Sequence, residues 1–126
     1  MTKITIYDLE ERTTAFSKKV LLFCKSLPQD AVTKPLLSQL VRSCTSVGAN
    51  YMEANGASSK KDFANKVFIC KKEAKETMYW LHLLGELFKD KREDIISLYR
   101  ESKELTLIFS KISSSSKTKK LIEKED

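Results

Sequence analysis

The chain has 126 residues, 41% hydrophobic and 32% charged, with only 3 Gly and 2 Pro. That length suits one domain with one core, the composition excludes a disordered chain, and the scarcity of turn residues favours a few long elements over many short strands. The net charge of +6, concentrated in the first two-thirds, permits contact with nucleic acid or another anionic surface.

Helix one is expected over about residues 6–27. Leu9, Thr13, Phe16, Val20, Phe23 and Leu27 recur at alternating spacings of 4 and 3, which is one helix face. Thr5 and Asp8 have the spacing of a capping box, and Pro28 ends the helix. A strand over Ile4-Thr5-Ile6-Tyr7 is the alternative, but no other segment offers it a partner. Gln29 and Asp30 are assigned to a loop.

Helix two is expected over about residues 34–55, with Thr33 as its cap and Pro35 in the first turn. Its stripe is Leu37, Leu40, Cys44, Val47, Tyr51 and Ala54. Gly48 inside it implies close approach of another helix, and Asn55-Gly56 supplies a stop with glycine available for the left-handed conformation. Helix three, about 59–88, opens on Ser58 or Ser59, and Ser59 with Asp62 has capping-box spacing. Phe63, Val67, Cys70, Ala74, Thr77, Leu81, Leu84 and Phe88 form a seam of period 3.5. Helix four, about 91–112, starts from an Asp90–Glu93 capping box and carries Ile95, Tyr99, Ser102, Leu105, Phe109 and Ile112. Residues 113–126, with four consecutive serines and mixed charge, are expected to form a flexible polar tail. Four helices with short loops predict an all-α, antiparallel up-and-down four-helix bundle.

No run reaches the roughly 18 apolar residues of a membrane span, and the N-terminus has no signal-peptide core, so a cytoplasmic protein without membrane contact is expected. Cys24, Cys44 and Cys70 are widely spaced and lie on or beside apolar stripes, which reads as reduced core thiols rather than a disulfide framework or zinc site.

The polar residues of interest lie on helices two and three. At about 100° per residue, Arg42, Ser46, Ala49 and Glu53 fall within about 60° of one another, with Asn50 beside them and the stripe opposite. Such a row is either a solvated face or a surface that docks onto a ligand or a second subunit. Its small residues and near absence of lysine favour docking. Glu73 and Trp80 flank the seam of helix three, and Glu73 or Glu53 is placed to pair with Arg42 across the helices. Trp80 reads as core or interface packing.

His82, the single histidine, lies off the seam and is expected to be exposed. One histidine builds no Ser–His–Asp or Cys–His set. Glu53, Glu73 and Glu76 form the only conceivable carboxylate metal set, but the Glu-x-x-His motif is absent, as is a phosphate-binding glycine loop. Neither catalytic residues nor a metal or cofactor is expected. A cleft enzyme using Glu53, Glu73 and Arg42 is the least favoured class. Lys60, Lys61, Lys66, Lys71, Lys72 and Lys75 crowd the first half of helix three, with Lys61, Lys72 and Lys75 outward and Lys71 at the edge. That run is either a solvated face or a phosphate-contacting surface. The aromatic interleaving of a single-strand binder is not evident, and Phe63 and Phe68 read as packing residues.

Gln39-Leu40-Val41-Arg42, Ser46-Val47, Asn50, Glu53, Ser59 and Asp62-Phe63, together with Tyr7-Asp8-Leu9 and Leu27-Pro28, resemble a family of small bacterial four-helix-bundle proteins. Some are encoded by intervening sequences within large-subunit ribosomal RNA genes, and the group includes the accessory variability determinant of diversity-generating retroelements. The resemblance covers about residues 6–112. It implies a ring-shaped homopentamer and a nucleic-acid role through basic surfaces, and it matches Arg42, Ser46, Asn50 and Glu53 to the helix-two motif and Phe63 to the start of helix three. The chain departs from the pattern at Ala54, where glycine is usual, at Ala57-Ser58, and at Arg12, where an aromatic is common. The combined expectation is a non-enzymatic, self-associating bundle. Arg42, Ser46, Asn50, Glu53, Glu73 and Trp80 are at or near its subunit interface, and Lys61, Lys71, Lys72 and Lys75 are candidates for contact with RNA or DNA. The alternative is a protein-interaction adaptor without nucleic-acid affinity.

Overall fold

Spacings of 3 and 4 along each stripe translate directly into burial. The computed structural model describes the backbone of residues 6–125 and the side chains of residues 9–115. It contains α1 (Ile6–Lys25), α2 (Thr33–Asn55), α3 (Lys60–Leu87), a short 3-10 turn (Lys89–Lys91) and α4 (Arg92–Glu125). Consecutive helices pack side by side and α1 closes against α4, giving an all-α four-helix bundle; α3 makes the closest packing, against both α2 and α4. Every stripe residue named for α1 and α2 is buried, as are Val67, Cys70, Ala74, Thr77, Leu81 and Leu84 of α3. The rings of Tyr51 and Phe109 meet at 5.7 Å in the core. The expected Thr5–Asp8 box lies outside the described residues.

Polar residues on the stripes are satisfied locally. Ser43 Oγ donates to Leu40 O at 3.2 Å, Thr77 Oγ1 donates to Ser43 Oγ at 2.9 Å, and Ser102 Oγ donates to Ala74 O at 2.8 Å. The last two buried bonds tie α2 to α3 and α3 to α4, where unpaired hydroxyls would be costly. Among the described residues, no buried side-chain nitrogen or oxygen lacks a partner.

Helix ends differ from expectation in four places. Thr33 is not the cap of α2. Asp30 Oδ1 accepts from Val32 N at 3.0 Å and Thr33 N at 2.8 Å, and Asp30 O accepts from Lys34 N at 2.9 Å. The carboxylate reaches forward over the first turn and takes the orphan N–H groups itself. Gly56 stays at φ −98° instead of turning left-handed, and its N–H bonds to Glu53 O at 3.1 Å as the last turn tightens. Asp90 sits inside the 3-10 turn that leads into α4, so it does not take the extended backbone of a cap residue.

The fourth difference is the length of α4. It continues to Glu125 past the expected end at Ile112, and Ser113 is buried. No Gly or Pro follows Ile112, and each further residue of an existing helix adds a backbone bond without a new nucleation cost. Elsewhere expectation and structure meet: Ser59 caps α3 by accepting from Asp62 N at 3.0 Å. Gln29, assigned to a loop, also closes α1 by donating Nε2 to Cys24 O at 3.1 Å and Leu27 O at 2.9 Å.

Two outcomes follow. The bonds from Thr33, and to a lesser degree from Val32, hold the Asp30 carboxyl below its ordinary pKa. Its stabilising effect is therefore present above the ordinary carboxylate pKa and lost as pH falls through the lowered one. Asp30→Ala should lower the melting temperature at pH 7, Asp30→Asn should do so less, and melts by circular dichroism should show the Asn deficit vanishing and the Ala deficit shrinking in strong acid, where the protonated carboxyl still accepts as a neutral group. Gly48 does lie against α1, but an added Cβ would stand 3.5 Å from Thr13 Oγ1, an ordinary contact. Gly48→Ala should stabilise by up to about 1 kcal/mol in denaturant unfolding.

Candidate functional site

The row on α2 faces away from the core. Arg42, Ala49 and Glu53 are exposed, and Ser46 and Asn50 are half-buried. Asn50 Nδ2 donates to Ser46 O at 2.8 Å, so its amide is held by its own helix. Arg42 bridges to α3: Nη1 donates to Glu73 Oε2 at 3.1 Å, and Nη2 donates to Glu76 Oε2. Its Nε donates to Gln39 Oε1 at 3.2 Å. Glu73 and Glu76, three residues apart, present both carboxylates to the same flank. Trp80, one turn on, donates Nε1 to Glu76 Oε2 at 3.1 Å and meets the ring of Tyr79 edge-on at 5.1 Å. Gln39, Arg42, Glu73, Glu76 and Trp80 thus form a clasp over the α2–α3 seam.

Glu53 is not part of it. Its Oε2 accepts from Lys66 Nζ at 2.8 Å. The two helices are antiparallel around the turn after Asn55, so Glu53 lies level with the first turns of α3. Arg42, three turns further from that turn, lies level with Glu73 and Glu76. Of the two carboxylates weighed for Arg42, Glu73 is the partner.

A second clasp, between α1 and α4, has no counterpart in the sequence reading. Arg12 Nε donates to Glu101 Oε2 at 2.8 Å, and Nη2 donates to Glu101 Oε1 at 2.7 Å and Glu104 Oε2 at 2.9 Å. The bonds to Glu101 raise the pKa of the guanidinium further. The available signal was two glutamates three apart on α4 and one arginine beside the α1 stripe, yet 89 residues separate Arg12 from Glu101. The α1–α4 seam is the loosest of the bundle and holds a groove of about 700 Å³. Phe16, Ile96 and Leu98 line it with Arg12, Lys19 and Arg100. No residue of the α2–α3 clasp reaches it.

Lys61, Lys72 and Lys75 are exposed on the outer side of α3 and Lys71 is half-buried at its edge. None of the four makes an ion pair among the described residues. Glu73 and Glu76 are bonded to Arg42 and Glu53 to Lys66, so these carboxylates do not converge. Among the described residues no cluster of three metal-ligating side chains occurs. Cys24, Cys44 and Cys70 are buried and free, and burial pushes their thiols up to about 11, 12 and 12. Such thiols stay protonated and unreactive at neutral pH. No helix among the described residues is long and apolar enough to cross a membrane.

The Glu73 side chain is only 13% exposed, whereas Arg42 is 46% exposed. Removing the arginine leaves a largely covered carboxylate without its cation, while solvent tempers the loss. Arg42→Ala should destabilise by about 1 kcal/mol in denaturant unfolding, and Glu73→Gln in that background should recover part of it. Lys72→Ala should change stability little.

A model of the 23S rRNA-intervening sequence protein family matches residues 7–111. No curated protein matches the chain. Among solved structures, one of a protein with unknown function from the S23 ribosomal protein family of Bacteroides thetaiotaomicron is 34% identical, with a TM-score of 0.77. The likeness covers 83% of this chain and 97% of that one. The family match takes in the bundle and both clasps, and the chain belongs to the 23S rRNA-intervening sequence protein family.

Proposed function

We propose that this protein is a non-enzymatic, self-associating bundle that binds RNA or DNA through the outer face of α3. The observation that carries the proposal is the segregation of charge. The carboxylates of Glu73 and Glu76 turn toward α2 and are bonded by Arg42; those of Glu101 and Glu104 turn toward α1 and are bonded by Arg12. Among the described residues, Lys61, Lys72 and Lys75 are left exposed without an internal anion. Clustered cations of this kind suit phosphates and need no base-specific contact. Self-association draws support from the α2 row, where Ser46 and Ala49 leave little side chain to displace, and from the homopentamer that the family resemblance implies. Arg42, Asn50, Glu53, Glu73 and Trp80 border or belong to that row.

A protein-interaction adaptor without nucleic-acid affinity is the second reading. It draws support from exposed Leu22, Met52 and Leu107.

Fluorescence anisotropy with labelled RNA and DNA at about 50 and 200 mM salt separates the two. Binding should weaken by orders of magnitude between those salts, and Lys72→Ala and Lys75→Ala should each lower the log–log salt slope by about 1. Absence of binding at the lower salt would leave the adaptor. In sedimentation velocity, Ala49→Arg should dissociate the assembly; a monomeric wild-type chain would refute self-association.

A further inference from the structure

Phe68 and Tyr79 stand on the outside of α3, 46% and 55% exposed. Phe68 was expected to pack. At about 100° per residue, Lys61, Phe68, Lys72, Lys75 and Tyr79 fall within a sector of about 60°, opposite Cys70, Thr77 and Leu84. The basic face is therefore interleaved with aromatic rings after all. Between Lys61 and Tyr79 the acidic residues are Asp62, Glu73 and Glu76. All three lie outside that sector, toward α2, and the last two are bonded to Arg42. The neighbouring edge of α4 adds to the charge. Thr106 Oγ1 donates to Met78 Sδ at 3.6 Å, which turns this edge toward α3, and exposed Lys103 lies one turn before Thr106.

Rings and cations in this order distinguish one form of nucleic acid from another. Lysines alone meet the phosphates of duplex and single strand alike. An exposed ring on a convex helix gains nothing from a duplex, whose base faces are covered by their own neighbours. Unstacked bases each offer a π-face to it. Phe68 and Tyr79 are eleven residues apart, about 16 Å along the axis, with Lys72 and Lys75 between them. That span admits several nucleotides of a splayed strand.

We propose that this face binds single-stranded nucleic acid, with bases stacked on Phe68 and Tyr79 and the intervening phosphates on Lys72 and Lys75. The inference rests on the reading of the lysine face given above and adds the form of the ligand to it. An acidic protein or a second copy of the chain would use the lysines but would not discriminate strand form.

The test titrates the full chain into labelled single-stranded and duplex oligonucleotides of about 12 nucleotides, a length typical of such sites. Phe68→Ala and Tyr79→Ala should each weaken single-strand binding by about 5- to 150-fold, with the salt slope and the duplex affinity unchanged. Phe68→Tyr and Tyr79→Phe should bind as wild type, since each keeps a ring. Melting curves confirm that the exposed positions leave the fold intact. Unaltered single-strand binding by both alanine variants, alongside weakened binding by Lys72→Ala, would overturn the stacking and leave the lysine face standing. Failure of the wild-type chain to bind either form would overturn both. A change of sedimentation in Phe68→Ala without loss of binding would make the face a subunit contact and overturn the stacking.

Discussion

The period-3.5 seam of α3 is the constraint on which the molecule depends. Val67, Cys70, Ala74, Thr77, Leu81 and Leu84 are all sealed from solvent, and this helix packs against both α2 and α4. An unbroken apolar side on a 28-residue helix fixes where every other residue of that helix points. One flank meets α2 and carries Glu73, Glu76 and Trp80. The side opposite the seam carries Lys61, Phe68, Lys72, Lys75 and Tyr79. Side-chain chemistry on this helix is thus sorted by angle, and the angle is set by burial.

The two ion-pair clasps have complementary places in that scheme. Arg42 spans α2 and α3 at their outer seam, and Arg12 spans α1 and α4 at the loosest one. Both guanidiniums meet carboxylates spaced three apart, a geometry that suits the planar fork of arginine better than lysine. Partly exposed pairs add modest stability. Their larger effect is to consume negative charge: Arg42 holds Glu73 and Glu76 on the α2 flank of α3, and Arg12 holds Glu101 and Glu104 at the α1–α4 seam.

Periodicity made the helices, their stripes and the polar row of α2 legible, because burial repeats along a sequence. That Arg42 pairs across to a carboxylate was legible only as a choice between Glu73 and Glu53, and the antiparallel level of the two helices selects Glu73. Helix ends were not. A cap depends on the backbone angles of one residue, so Thr33 and Asp30 compete on equal terms in the sequence and only geometry selects Asp30. Arg12 with Glu101 was hidden because nothing periodic links residues from the two ends of the chain. Phe68 departs from the packing role its residue type suggests because it stands one residue past the buried Val67 and so turns outward.

The three buried thiols bear on how the bundle breathes. Thiol reagents attack the thiolate, and Cys24, Cys44 and Cys70 are both covered and held in the protonated form. A modifying reagent must therefore wait for a helix to lift. Since the three lie on α1, α2 and α3, the order in which they become labelled would chart which parts of the bundle open first, with no probe added to the chain.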